Sequence, residues 1–234
     1  MKLHQKGWSL TEVMLALVVI SGMAYAVAPL FRKNAEESNA KIMADDFSLF
    51  QTSASSHFQS NRDAYIAAMT DGTGAADICK IGVDPATGTG GISTFDPTLH
   101  TCAVDGSILR FQQALPTSVR QKNRYGESWV AIFKLVYTTH APIEPTGGVE
   151  MLVLSADLSG TGGVVVKDAN RYSEAVTAGE FAGGQGGAIP DGDRATCVVN
   201  KSTSTFQACG NGWKVNLADF ITPAAMSSFA ARVN

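Results

Sequence analysis

The chain has 234 residues, of which 45% are apolar and 17% charged, so it can bury a sizeable core and is not a disordered protein. Its formal net charge is −3, and no basic run offers a binding track for phosphates, which excludes nucleic acid as an expected partner. With 23 Gly, 8 Pro and no strict period, the composition indicates a loop-rich globular protein rather than a collagen, coiled-coil or solenoid repeat.

The first strong signal along the chain is an apolar segment near the N-terminus. From Val13 to Phe31, nineteen residues pass without a charge. As an α-helix with a rise of about 1.5 Å per residue, this segment nearly crosses a hydrocarbon core of roughly 30 Å. Since no second segment of this kind follows, we predict one membrane-inserted helix and one exported head.

A short basic leader precedes the apolar segment. Residues 1–7 contain two lysines and end at Gly7, and a cut there would make Trp8 the first mature residue. Glu12 lies at the edge of the apolar helix, where a carboxylate near the bilayer centre would cost about 2.5–3.5 kcal/mol. The new α-amino group of Trp8 lies one helical turn away, so Glu12 can pair with it on its own chain or on a staggered neighbour. Alternatively, Glu12 only marks the membrane boundary and favours the positive end of the helix dipole.

These residues resemble the class III signal of type IV pilins and pseudopilins, in which a leader ending in Gly is followed by a cleavage site, a glutamate and an apolar run. Here the matching positions are Gly7, Trp8 and Glu12, and Pro29 falls where pilin helices often carry a helix-loosening proline. The resemblance implies cleavage and N-methylation by a membrane prepilin peptidase. It also implies extraction from the inner membrane by the pilus assembly machinery into an extracellular filament, in which the N-terminal helix contacts other pilin subunits.

The helical pattern continues beyond the apolar segment as an amphipathic stripe. Its apolar members recur at steps of four, three, four, four, seven and four, which predicts a helix that packs under a head domain. The predicted long helix spans residues 8–69, with 8–31 in the membrane or filament core, and it ends before the breaker Asp71-Gly72-Thr73-Gly74. The members of the stripe are Met43, Phe47, Phe50, Ala54, Phe58, Tyr65 and Met69.

The head is predicted to span residues 70–195. Residues 70–106 are dominated by turn signals from Gly and Pro, with hardly any periodic apolar pattern. The predicted fold class is α+β, with a long N-terminal membrane-inserted helix packed under an antiparallel β-sheet head, as in type IV pilins. The other predicted elements are strands at Ser107–Ala114, Ser128–Tyr137 and Gly148–Ala156, a helix at Ala169–Ala182 and a flexible turn at Gly183–Gly187.

The tail, residues 196–234, is predicted to be a disulfide-closed segment with a short helix that starts at Thr222-Pro223. Four cysteines permit three pairings, and the sequence does not select one. In an oxidising compartment the neighbouring pairs Cys79–Cys102 and Cys197–Cys209 are the simplest choice, each stabilising by about 3 kcal/mol. A four-thiolate metal site is the alternative, although neither pair has the CxxC-type spacing that is typical of zinc.

The sequence lacks the motifs of catalysis and cofactor binding. It has no nucleophile elbow, HExxH, P-loop or dinucleotide fingerprint, and its four histidines show no metal-ligand spacing. Asp191-Gly192-Asp193 is an acidic loop, but the other ligands of an EF-hand are missing, which favours a turn. We therefore expect a protein that is not an enzyme and that has no cofactor, catalytic residue or metal.

A second resemblance lies in the head. SWVAIFKLVY, VEMLVLSADLSG and AGEFAGGQGGAIPDG, together with the leader, resemble the N-terminal domain of the PilV family, the minor pilins and tip adhesins of conjugative type IVb thin pili. The resemblance implies a minor pilin in the filament or at its tip that contributes to adhesion or mating-pair contact. A recipient-cell envelope glycan would then be bound by the loop Lys201–Ala208 or by the Gly-rich surface. The alternatives are a pseudopilin of a type II secretion apparatus and a major type IVb pilin.

Overall fold

The fold is known from a computed structural model that describes residues 10–123, 125–139, 143–156, 169–189, 197, 199–200 and 205–221. Before residue 27, side chains are described only for Met14, Val18, Ser21, Met23 and Tyr25. Gly7, Trp8 and the helix predicted from Thr222 onward lie outside the described residues, as does the acidic loop at 191–193.

The described chain is a mixed α+β structure with a long N-terminal helix and antiparallel sheets. The helices are α1 (Leu10–Ser60), α2 (Arg62–Asp71), α3 (Ala75–Ile78), α4 (Gly106–Phe111) and α5 (Ala169–Phe181). The strands are β1 (Lys80–Val83), β2 (Gly90–Ser93), β3 (Thr101–Asp105), β4 (Ser128–Tyr137), β5 (Pro145–Ala156), β6 (Gly187–Ala188), β7 (Val199–Asn200), β8 (Thr205–Gly210) and β9 (Trp213–Asn216). A short 3-10 helix, Leu217–Asp219, follows β9.

The predicted long helix is interrupted once, at Asn61, so the prediction of one continuous helix to Met69 is wrong. The Asn61 side-chain amide donates to the carbonyl of His57 at 3.0 Å, and the Asn61 backbone N–H donates to the same carbonyl at 3.1 Å. Asparagine competes in this way for the carbonyls at a helix end, which closes α1 before α2 starts. The breaker after α2 is confirmed, since Gly72 ends that helix with a φ of 81°.

The apolar stripe of the helices packs on one face of a three-stranded antiparallel sheet with the order β3-β4-β5. Phe50, Ala54, Phe58, Tyr65 and Met69 are buried there, which confirms the predicted packing role of the stripe. Alternate residues of β4 supply the sheet side of this first core, because side chains of a strand point to opposite faces in turn. These residues of β4 are Trp129, Ala131, Phe133 and Leu135.

The opposite face of the same sheet is also buried, by the C-terminal strands. Val130 and Ile132 of β4 point into this second core, where they meet Leu217, Phe220 and Ile221. Both faces of β4 are therefore covered, which explains its near-continuous apolar sequence. A sheet of β6, β7, β8 and β9 precedes the 3-10 helix and carries Ala208 into the second core.

The predicted strand Ser128–Tyr137 and the predicted helix from Ala169 are confirmed, and the third predicted strand starts at Pro145 instead of Gly148. The predicted strand Ser107–Ala114 is wrong, because α4 occupies this segment. The Asp105 carboxylate accepts hydrogen bonds from the backbone N–H groups of Ser107 and Ile108 at 3.0 and 3.2 Å. Such an N-cap satisfies orphan donors of a first helical turn and so favours a helix over a strand.

The irregular segment before α4 contains more structure than its turn signals predict. β1 and β2 form a small antiparallel hairpin, and β3 pairs with the central strand β4. Cys79 and Cys102 join this segment to the first core by a disulfide, and both cysteines are fully buried.

A buried histidine makes the stability of the head sensitive to acid. The His57 Nδ1 lies 3.0 Å from the hydroxyl of Tyr65, which burial keeps protonated by raising its pKa. Burial lowers the pKa of His57, and a side-chain hydrogen bond with Gln112 opposes this shift only in part. Below the ordinary pKa of about 6.5, the unfolded chain therefore binds more protons than the folded chain.

We expect the free energy of unfolding to fall as the pH is lowered from about 6.5 toward the depressed pKa of His57. Urea midpoints of the head at pH 7.5, 6 and 5 measure this loss. His57→Gln removes the titrating group, so its midpoints should change less over the same pH range. Equal pH dependence in the two proteins would contradict the assignment to His57.

Candidate assembly surface

The candidate functional surface is the N-terminal half of α1, which extends beyond the head. The first buried side chain along the described part of α1 is Ala40, and its neighbour Ala44 one turn later is also buried. The helix α1 contacts α5, in which Ala178 is buried. Small residues on both helices let their backbones approach closely. N-terminal to Ala40, no described side chain of α1 is buried.

Large apolar side chains are exposed on more than one face of this bare half. Met14, Val18 and Tyr25 are spaced by four and seven residues and share a face, whereas Met23 and Leu30 lie on the other side. Tyr25 is 86% exposed. A helix that is apolar all round is normally buried in protein or in a membrane, so this half of α1 requires an apolar partner.

Two of the residues predicted to act in assembly lie on this half of α1. Glu12 is near the start of the helix, but its side chain lies outside the described set. Pro29 is inside the helix, and its ring cannot donate the backbone hydrogen bond that would otherwise reach the carbonyl of Tyr25. Glu12 and Pro29 are seventeen residues apart on one helix, or about 25 Å along its axis. They therefore mark two levels of the same surface rather than one compact site.

The predicted membrane segment 13–31 is helical over its whole length, although several of its side chains lie outside the described residues. Searched over the described residues alone, no helix combines the length and apolar character needed to cross a membrane.

A ring of charged side chains follows the apolar part of the bare helix, and we call it the charged collar. Its members are exposed except for Glu36, which is half-buried. Within the described part of the chain, the one ion pair within 4.0 Å joins Arg120 to Asp46, which uses no collar residue. Burial raises the pKa of Asp46, and the Arg120 charge partly opposes this shift. The collar consists of Arg32, Lys33, Glu36, Glu37, Lys41 and Asp45.

A polar cluster fixes the loop before β4, and sequence reasoning did not find it. The Glu127 carboxylate accepts hydrogen bonds from the Asn123 amide at 2.7 Å and from the Ser155 hydroxyl at 2.9 Å. The Tyr125 hydroxyl donates to the Glu174 carboxylate of α5 at 2.8 Å. Glu127 and Glu174 are both buried, so these bonds offset the cost of removing the carboxylates from water. The cluster positions α5, which in turn supports α1.

The C-terminal strands are closed by the second disulfide, between Cys197 and Cys209. Cys209 lies in β8, which pairs with β6, β7 and β9, so the disulfide is attached to the strand at the centre of this sheet. All four cysteines are thus paired with their neighbours in sequence. Among the described residues, no group of three or more His, Cys, Asp or Glu side chains is placed to hold a metal ion.

The glycine-rich segment Gly183–Gly187 forms a turn, as predicted, with Gly183 and Gly184 at φ values of 70° and 84°, and its end packs against Trp213. The Trp213 indole N–H donates to the carbonyl of Gly184 at 3.0 Å. A Cβ atom on Gly187 or on Gly210 would collide with the Trp213 ring and with nearby backbone. The glycines are therefore required so that β6 and β8 can approach beneath the indole.

Comparison of the chain with protein-family models, with curated proteins and with solved structures finds no match.

Proposed function

We propose that the chain is a minor pilin of a type IVb pilus, incorporated into the filament or its tip and contributing to adhesion or mating-pair contact. The observation that carries this proposal is the bare N-terminal half of α1. It presents exposed apolar side chains on several faces and extends beyond a head that has its own complete core. Such a helix is suited to a bundle in which the same helices of neighbouring subunits cover one another.

The order of the N-terminal residues supports the same proposal. Removal of residues 1–7 by a prepilin peptidase would place a new amine at Trp8, one turn before Glu12. In the apolar surroundings of a filament core, an unpaired carboxylate is costly, whereas an amine–carboxylate pair offsets that cost. The pair would favour assembly from the inner membrane into an extracellular filament over retention in the membrane.

An adhesive role for the C-terminal segment is supported by its position. The strands that follow Cys197 cover the sheet face opposite to the one covered by α1. If α1 enters a filament core, this module lies on the far side of the head, where it can meet a recipient-cell envelope glycan. A pseudopilin of a type II secretion apparatus and a major type IVb pilin remain the alternatives, distinguished by the filament that contains the chain and by its copy number there.

The N-terminus of assembled protein tests the proposal. We expect mass spectrometry of sheared filaments to find a chain that starts at Trp8, with one added methyl group on its amine. Gly7→Leu should leave the leader attached and the chain in the membrane fraction. Retention of Met1 in assembled material, or a cut near Ala26–Ala28, would contradict the pilin proposal.

The adhesive role is tested separately by the second disulfide. We expect the Cys197→Ser/Cys209→Ser double variant to lose about 3 kcal/mol of stability in the C-terminal module. The central sheet should stay folded, because Leu217 and Phe220 still bury its second face. The measured quantity is attachment to recipient cells per assembled subunit. A lower ratio supports adhesion through this module, whereas an unchanged ratio assigns the chain a structural role only.

A further inference from the structure

We propose that two copies of this chain pack their α1 helices in parallel with an axial offset of four residues, and that the charged collar sets this offset. The partner is a second copy of the same chain. This inference rests on the proposed function, because it concerns how the bare helices of two subunits meet. It adds a specific register to that function.

The charged collar lies where α1 extends out of the head, and its charged side chains are available to a partner. Arg32, Lys33 and Glu37 are exposed, and so are Lys41 and Asp45. Over the part of the chain that the structure describes, none of them forms an ion pair within 4.0 Å. The collar also directly follows the exposed apolar residues Leu30 and Phe31, so a helix that packs on the apolar part meets the collar next.

The order of the charges favours pairing between chains over pairing within one helix. Three of the four residue pairs at a spacing of four place the cation before the anion. Within a single helix this order is the less favourable one, because it opposes the helix dipole. The three pairs are Arg32–Glu36, Lys33–Glu37 and Lys41–Asp45, and the fourth, Glu37–Lys41, has the reverse order.

Only some offsets between two parallel copies place opposite charges at the same level. With no offset, each collar residue lies at the same level as its own copy, which is a like charge. An offset of eight residues brings Lys33 to Lys41 and Glu37 to Asp45, which are also like charges. An offset of four residues, about 6 Å along the axis, places four pairs of opposite charges and no pair of like charges at the same level. These are Arg32 with Glu36, Lys33 with Glu37, Glu37 with Lys41, and Lys41 with Asp45.

The same offset satisfies the mature N-terminus. The amine of Trp8 and the carboxylate of Glu12 are also four residues apart, with the cation first. A neighbour placed so that its Glu12 is level with the Trp8 amine therefore has its Glu36 and Glu37 level with Arg32 and Lys33. Glu12 and Glu36 are 24 residues apart on α1, about 36 Å along its axis, so the two contacts together would fix both ends of the bare segment.

Two variants with opposite collars test this register. Arg32→Glu/Lys33→Glu makes an acidic collar, and Glu36→Lys/Glu37→Lys makes a basic one. We expect co-purification of two differently tagged copies from detergent-extracted membranes to fall about tenfold for either variant alone, since two of the four ion pairs become like-charge pairs in the acidic variant and three do so in the basic variant. Co-expression of the acidic with the basic variant should restore co-purification. Arg32→Lys/Lys33→Arg keeps all charges and serves as the matched control.

The mixed experiment separates contacts between chains from contacts within a chain. Like charges within each variant helix persist in the mixture, so an intrahelical role predicts no rescue. A register assay adds a second measurement: Lys33→Cys in one copy and Glu37→Cys in the other should form a linked dimer more readily than either variant with itself. The native cysteines do not interfere, because they are held in disulfides.

Failure of mixing to restore association, or an absence of association between wild-type copies, would overturn the proposal. Preferential self-linking of Lys33→Cys chains would overturn it as well. The proposed function is decided separately, by the Trp8 N-terminus and by the presence of the chain in sheared filaments.

Discussion

Replacement of Glu12 by alanine is expected to reduce incorporation into sheared filaments by at least about tenfold, with an unchanged amount of protein in the membrane fraction. In the proposed filament, the variant would leave the mature amine at Trp8 without its carboxylate partner. Removal of one member of a buried pair typically costs about 3–5 kcal/mol, which exceeds a tenfold effect. We expect membrane insertion to be unimpaired, because alanine removes a charge from an apolar helix.

Two controls make the Glu12 result specific. Glu12→Gln keeps the size of the side chain and removes its charge, so we expect it to fail in assembly like Glu12→Ala. Ser21→Ala changes a polar residue on the same bare helix, where the hydroxyl donates to the carbonyl of Val18 at 3.0 Å. It should assemble at the wild-type level. Normal entry of Glu12→Ala into filaments would refute the pairing of Glu12 with the N-terminal amine.

Replacement of Phe133 by alanine is expected to destabilise the head by about 3–5 kcal/mol. The Phe133 ring is 1% exposed and lies between the helices and the sheet. Its centroid is 5.1 Å from that of Phe58 and 5.0 Å from that of Tyr65. Alanine would lose both ring contacts and leave a cavity in the first core.

The matched control is the same substitution on the bare helix. Phe31 is 71% exposed, so Phe31→Ala should change the free energy of unfolding by less than about 0.5 kcal/mol. Denaturant unfolding of the two variants measures the difference. A similar loss of stability in both would show that the bare half of α1 packs against the head in solution.

The sequence predicts those elements whose pattern is long and set locally. The bounds of β4 agree with the prediction to the residue, because a run rich in Val, Ile, Phe, Tyr and Trp has few alternatives to a buried strand. The α1 stripe is predicted correctly for the same reason, over several helical turns. The apolar run of α4 is too short to distinguish a helix from a strand, although Asp105 just before it is an N-cap residue that points to a helix.

The second core is not predictable from local pattern, because its parts are distant in sequence. The apolar run of β4 indicates a strand that is buried on both faces, but it does not indicate that Phe220 and Ile221 cover Val130 and Ile132. The packed role of Gly187 likewise depends on Trp213, which lies 26 residues further along the chain. The resemblance of the N-terminus to a class III signal depends only on the order of residues such as Gly7 and Glu12. It can therefore be recognised without knowledge of any tertiary contact.

The first disulfide limits how far the head can be stretched by a mechanical force. Cys79 and Cys102 enclose 23 steps of chain, which would span about 80 Å if fully extended. Tension that separates β3 from β4 can extend the segments outside the disulfide. It cannot extend the segment that contains β1 and β2, because the disulfide closes that segment into a loop. The chain length that forced unfolding of the head can release is therefore about 80 Å shorter than it would be without the disulfide. A head under tension extends less before it bears the full force.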